Sequence, residues 1–123
     1  MRMWMVPVEY MCNKHLLGEH VEIHMFVGSI NNGQSVDGYI ANDLLEPLSL
    51  RLRHQEIVKE MIGRGYSHKQ ELPPISAAVL GAKLYHTINV SKSVNDLKSR
   101  CKSCAKRMPK WWLTRLEDEI HET

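Results

Sequence analysis

Apolar residues in this chain recur three and four positions apart and almost never alternate, and that period decides the fold class. Advancing 100° per residue, Leu16, Ile23, Val27 and Ile30 fall on one arc. Leu50, Ile57, Val58, Met61 and Ile62 recur at helical spacing in a second segment. In a third, Val94, Leu97, Cys101, Cys104, Ala105 and Met108 step by three or four apart from one adjacent pair. Aromatic and β-branched residues are too scattered to line strands. The pattern predicts an all-α chain, a single compact domain over residues 1–123. It should have about three main helices, long irregular connections, and its amino terminus packed between helices.

Capping and breaking residues set the boundaries. Asn13, whose side chain suits an N-cap, opens the first helix, and Asn31-Asn32-Gly33 closes it. The second runs from Pro47 or Leu48 to Arg64 with Gly65 as its stop, and its other face is charged through Arg51, Arg53, Lys59 and Glu60. The third spans Ser93 to about Met108. Residues 66–90 hold Pro73-Pro74 and Gly81 and read as a long loop with one helical turn at Ser76 to Leu80, which is either a hidden element or a binding loop.

The charges almost cancel, 16 Lys plus Arg against 14 Asp plus Glu, so net charge alone does not announce a nucleic-acid binder. No apolar run approaches the ~18 residues of a membrane span, and the start of the chain lacks the apolar core of a secretory signal. A cytoplasmic monomer without a membrane partner is expected. Three cysteines, Cys12, Cys101 and Cys104, are an odd number and argue for reduced thiols. The sequence shows no internal repeat and no low-complexity tract.

The positive charge is concentrated late. From Lys92 to Lys110 there are seven basic residues (Lys92, Lys98, Arg100, Lys102, Lys106, Arg107, Lys110) against Asp96, and Trp111-Trp112 follows. On a continuous helix Lys98, Lys102 and Lys106 share a face, where mutual repulsion is relieved by a polyanion. Basic groups that track phosphates beside aromatics that stack or wedge are the ingredients of a nucleic-acid surface. A solvated helix face with two tryptophans closing the core explains the same residues equally well. Residues 113–123, with Glu117, Asp118, Glu119 and Glu122, read as a mobile acidic tail.

Two patterns invite a metal. Cys101-x-x-Cys104 lies on the apolar seam, has no second cysteine pair, and is remote from Cys12, so packed free thiols are the better reading. His20 and His24 are four apart, but Glu22 points to the opposite side of the helix and cannot serve as base for a water on a shared metal. A His-dependent metal hydrolase is therefore the weakest of the functional classes. His15, Glu19, Glu22 and Phe26, by contrast, cluster within about 60°, with Gly18 leaving room for an approaching group.

The run Glu9-Tyr-Met-Cys-Asn-Lys14-His15-Leu-Leu-Gly-Glu19-His-Val-Glu22, close behind the amino terminus, resembles the pyrimidine dimer DNA glycosylase / AP lyase family of the bacteriophage dimer-specific endonuclease V type. Arg64-Gly65-Tyr66 at the end of the second helix and Pro109-Lys-Trp-Trp112 resemble later landmarks of that family. The resemblance implies a mostly helical enzyme that needs no metal or other cofactor and acts on cyclobutane pyrimidine dimers in duplex DNA. It implies an α-amine nucleophile, here Met1, and an essential carboxylate, here Glu22. The family loses its initiator Met to expose a Thr that an Arg follows; in this chain Arg2 matches that Arg, and a side chain of this size disfavours removal of Met1. Val21 and Met25 stand where the family carries Arg on the first helix.

A terminus suits this chemistry. At neutral pH roughly a tenth of an ordinary α-amine is unprotonated, some two orders of magnitude more than an ordinary lysine offers. The expected site is thus Met1 and Glu22 for catalysis. Arg2, Lys14, His15, His20, Lys98, Lys102, Lys106, Arg107, Lys110, Trp111 and Trp112 are the expected contacts to damaged double-stranded DNA. The rival reading is a non-catalytic helical DNA-binding module that uses the basic third helix and Trp111-Trp112.

Overall fold

The computed structural model describes residues 1–121, with side chains through Asp118. Six α-helices follow in order: α1 (Asn13–Asn31), α2 (Asp37–Ala41), α3 (Leu50–Gly63), α4 (Val90–Arg100), α5 (Lys102–Arg107) and α6 (Lys110–His121). Shorter 3-10 segments occupy Val8–Tyr10, Pro47–Ser49 and Ala77–Tyr85, and there is no strand among the described residues. No helix there is long and apolar enough to cross a membrane.

α1 is the axis of the structure. Leu16, Ile23, Val27 and Ile30 form its buried stripe as the 100° period predicts, and Phe26 and Glu19 are buried beside them. Cys12, in extended conformation, is the residue before the first turn; Asn13 is already helical, and its Oδ1 accepts from Arg64 Nη1 at 2.9 Å. Asn13 is therefore a tie to the end of α3 and not a cap. Gly33 takes φ +73° after the helix, where a side chain would be strained.

α3 packs against α1 with Leu50, Ile57 and Met61 buried. Two details differ from the periodic reading. Ile62 is 58% exposed, and Arg53, expected on the charged outer face, is 2% exposed. The rotation has a cause. Arg53 Nε and Nη2 donate to Glu19 Oε2 and Oε1 at 2.6 and 3.1 Å, so a buried carboxylate on α1 draws that face of α3 inward.

The amino-terminal strand of chain lies across this helix pair. Met3 N donates to Leu44 O at 2.8 Å, Trp4 N to Glu19 Oε1 at 3.0 Å, and the Ser93 hydroxyl to the Trp4 carbonyl. Met3, Trp4 and Val6 are buried, so the terminus is packed between helices as expected.

The third expected helix is two. Cys101 adopts φ −134°, ψ 107°, ending α4 and capping α5, so Lys98 and Lys102 or Lys106 do not share one helical face. Val94, Leu97, Cys104 and Met108 still reach the core because the corner folds back on itself. The 66–90 connection also holds more structure than one turn: the 3-10 segment Ala77–Tyr85 bends at Gly81 (φ 57°, ψ −133°). Asn31 pins its approach by donating to Pro74 O and accepting from Ser76 N, each at 2.9 Å, and Arg51 Nη2 donates to Pro73 O at 2.8 Å. In the acidic segment, residues 113–121 continue α6 with Glu117 and Asp118 exposed on it; the Glu119 side chain and Glu122 lie outside the described residues.

Replacing Arg53 by Ala strands a fully buried carboxylate and should cost about 3–5 kcal/mol in chemical denaturation, whereas Glu19→Leu with Arg53→Met should cost markedly less than either truncation alone.

Candidate functional site

Met1, Arg2, Trp4, Lys14, His15, Gly18, Glu22 and Arg100 line a cleft of about 460 Å³ at the start of α1. The first turns of the helix supply Lys14, His15 and Gly18, one turn further Glu22, and the amino-terminal segment crosses in front. Glu22 Oε2 accepts the backbone N–H of Arg2 at 3.3 Å, which fixes a carboxylate one residue from the terminus. Of the cluster predicted on α1, His15, Glu19 and Glu22 line this cleft. Glu19 and Phe26 are fully buried, at 0% exposure each, and Phe26 belongs to the apolar core.

The other expected contacts divide. The Arg2 guanidinium is engaged within the protein: Nη1 pairs with Asp96 at 3.4 Å, Nη2 donates to Ser93 Oγ at 3.1 Å, and the group lies 3.8 Å from the Trp4 ring centroid. Burial lowers its basicity, opposed by Asp96. These contacts hold the guanidinium at the wall of the cleft. Lys14 lines both the cleft and a second groove with Asn13, Ser103, Lys106 and Arg107, so the two concavities are joined by a cationic wall. Lys98, Lys102 and Lys110 are exposed; Arg107 Nε donates to Glu9 O at 3.0 Å. Arg100 at the cleft was outside the expected set, although its place in the basic run was a signal.

The tryptophans separate as well. Trp112 is half-buried with its ring 4.8 Å from that of Tyr10, while Trp111 is 63% exposed. His20 is not in the cleft. It lies across α1 with His24, His54 and His68, ring centroids 4.9–5.1 Å apart. Burial and the neighbouring imidazoles hold His20 and His54 well below the ordinary histidine value, each at about 4, so both are neutral near pH 7.

Cys12, remote in sequence, meets Cys101, Cys104 and His15, with one ligand atom from each lying within 4.8 Å of all the others. Burial pushes the Cys104 thiol up to about 12. Cys101 is drawn below the usual thiol value: burial opposes this and is outweighed by hydrogen bonds from the Cys104 and Ser103 backbone and the neighbouring thiols.

The two tryptophans should behave differently on truncation. Trp112→Ala is expected to cost ~2 kcal/mol of stability and Trp111→Ala under about 0.5 kcal/mol, read by denaturant midpoints. Lys14→Ala should reduce the slope of log affinity against log salt by about one on duplex DNA, read by titration at several salt concentrations.

Among curated proteins and among solved structures, none matches the chain. The sequence model of the family described as pyrimidine dimer DNA glycosylase matches residues 1–74, the part of the chain that builds the terminus, α1, α2 and α3. With Glu22 held against the amide of residue 2 and that match covering more than half of its length, the chain belongs to the pyrimidine dimer DNA glycosylase family.

Proposed function

We propose that this protein excises cyclobutane pyrimidine dimers from duplex DNA and nicks the resulting site, using the α-amine of Met1 as nucleophile and Glu22 as the essential carboxylate. The observation that supports it most is the contact between Glu22 and the Arg2 amide, in a cleft that Met1 also lines. A carboxylate in that position acts on whatever the terminal amine attacks.

The unprotonated amine adds to C1′ of the damaged nucleotide as the glycosidic bond breaks, and the base departs with the bonding pair and takes up a proton. The C1′–O4′ bond then breaks, O4′ takes up the proton that the nitrogen has lost, and the opened sugar is an iminium, which acidifies the C2′ proton. Its removal expels the 3′ phosphate and cuts the strand. Glu22 stabilises the cationic sugar during base loss and then helps carry protons through the elimination. Lys14 and Arg100 at the cleft supply positive charge for the flanking phosphates, and the cationic wall continues to Lys106. A dimer disrupts stacking, so kinking the duplex and extruding a nucleotide toward the cleft costs less there than at intact sequence.

Borohydride added during incubation with irradiated duplex should trap a covalent protein–DNA adduct, and one extra residue ahead of Met1 should abolish it. Intact mass of the chain establishes that Met1 is the terminal residue in the same sample. Glu22→Gln should lower base excision by about 10²-fold or more while leaving duplex affinity within a few-fold. Absence of any adduct on dimer-containing or abasic DNA, with binding intact, would instead make the protein a non-catalytic DNA-binding module.

A further inference from the structure

We propose that this protein is a zinc protein, with one ion held by Cys12, His15, Cys101 and Cys104 and a second by His20, His24, His54 and His68. Different observations carry the two sites, and neither depends on the reading of the cleft.

The first rests on distances and ligand chemistry. Tetrahedral zinc, with bonds of about 2.3 Å to sulfur and about 2.05 Å to nitrogen, places its ligand atoms about 3.8 Å apart for two sulfurs and about 3.6 Å apart for sulfur and nitrogen. Cys12 Sγ lies 3.8 Å from Cys101 Sγ, and His15 Nδ1 lies 3.2 Å from Cys12 Sγ and 3.7 Å from Cys104 Sγ. Three thiols and an imidazole are the donor set of closed structural zinc sites. The backbone is arranged for them. Extended Cys101 turns the Cys-x-x-Cys segment so that Cys104 N–H points at Cys101 Sγ (3.4 Å), and Cys12 N–H points at Cys104 Sγ (3.2 Å). Such N–H donors stabilise thiolates around a cation. The apolar seam alone would have been served by an unbroken helix, so the break at Cys101 is accounted for by the ligand geometry.

The second rests on orphaned nitrogens. Nε2 of His20 and Nε2 of His68 are buried without a hydrogen-bond partner, and His24 Nε2 lies 3.1 Å from His54 Nε2. Buried polar atoms are seldom left unpaired, and four imidazole nitrogens within 4.8 Å of one another share a single point at which a cation would satisfy them all. Tetrahedral zinc needs nitrogens about 3.3 Å apart. Glu71 Oε1, 3.8 Å from His68 Nδ1, sits on the outer side of that ring, where carboxylates orient ligand histidines.

Four protein ligands leave no open position at either ion, so both sites are structural. The first fixes the start of α1, and with it the cleft wall at Lys14 and His15, to the α4–α5 corner that carries Lys102 and Lys106. The second joins α1 to α3 and to the segment after it. His15 is accordingly a metal ligand and not a DNA contact.

The full-length, untagged chain purified without chelator should hold two zinc ions by native mass spectrometry and elemental analysis. Cys104→Ser and His54→Gln should each reduce this to one, and together to none. On the unaltered protein, cobalt(II) should give tetrahedral visible bands with thiolate-to-cobalt charge transfer in the near ultraviolet, and the charge transfer alone should vanish in Cys104→Ser. All three thiols should resist a disulfide reagent until a chelator is added. Thiols that react at once after incubation with zinc, or a disulfide found by mass, would overturn the first site. Zinc content unchanged by His54→Gln, in a variant that keeps its helical circular dichroism, would overturn the second. None of these readouts involves DNA, so failure here leaves the glycosylase reading standing.

Discussion

The interaction on which the rest of the structure depends is the buried pair between Glu19 and Arg53. Two ionised groups at 0% and 2% exposure are tolerated only because each is met by several partners. Glu19 accepts from Arg53 twice and from the Trp4 amide, and Arg53 reaches Met11 Sδ and Glu56 as well. One carboxylate thereby registers α1, α3 and the amino-terminal segment against one another. The position of Met1 relative to Glu22 follows from that registration, because residue 2 docks on α1 one turn from where residue 4 does.

α1 separates three chemistries by angle. Its apolar stripe faces the core, Lys14, His15, Gly18 and Glu22 face the cleft, and His20 and His24 face α3 on another side. A 19-residue helix repeats its faces about five times, enough for each function to have its own arc. The same separation explains why Glu22 cannot serve the histidines: this carboxylate and the imidazole cluster occupy different sides of one rod.

Much of this was legible beforehand. The ends of α1 and α3 followed from Asn31-Asn32-Gly33 and Gly65, residues whose backbone preferences act locally. The placement of Met1 and Glu22 in one cleft agrees with the short distance along the chain and the length of α1. What misled was each residue whose partner is far away in sequence. Arg53 looked like solvated charge because its ligand is 34 residues away, and Ile62 looked like core because periodicity counts apolar residues without knowing that Arg53 claims the inward face. The broken third helix escaped notice because Cys101 keeps the seam's spacing while leaving the helix. Trp111 and Trp112, adjacent and alike in sequence, part company only when Tyr10 meets one of them.

The sequence by itself determined the helical class, the helix ends set by glycine and asparagine, the late basic run, and a carboxylate on the same arc of the first helix as His15, since all of these depend on local backbone preference or on spacing within one element. Only the tertiary structure decided which charges are buried, that Arg2 pairs with Asp96 and Ser93, and that three cysteines and five histidines converge in two clusters. Convergence of that kind depends on how helices rotate to satisfy buried polar groups. No local period encodes that rotation, because it is fixed by partners that meet only after the chain has folded.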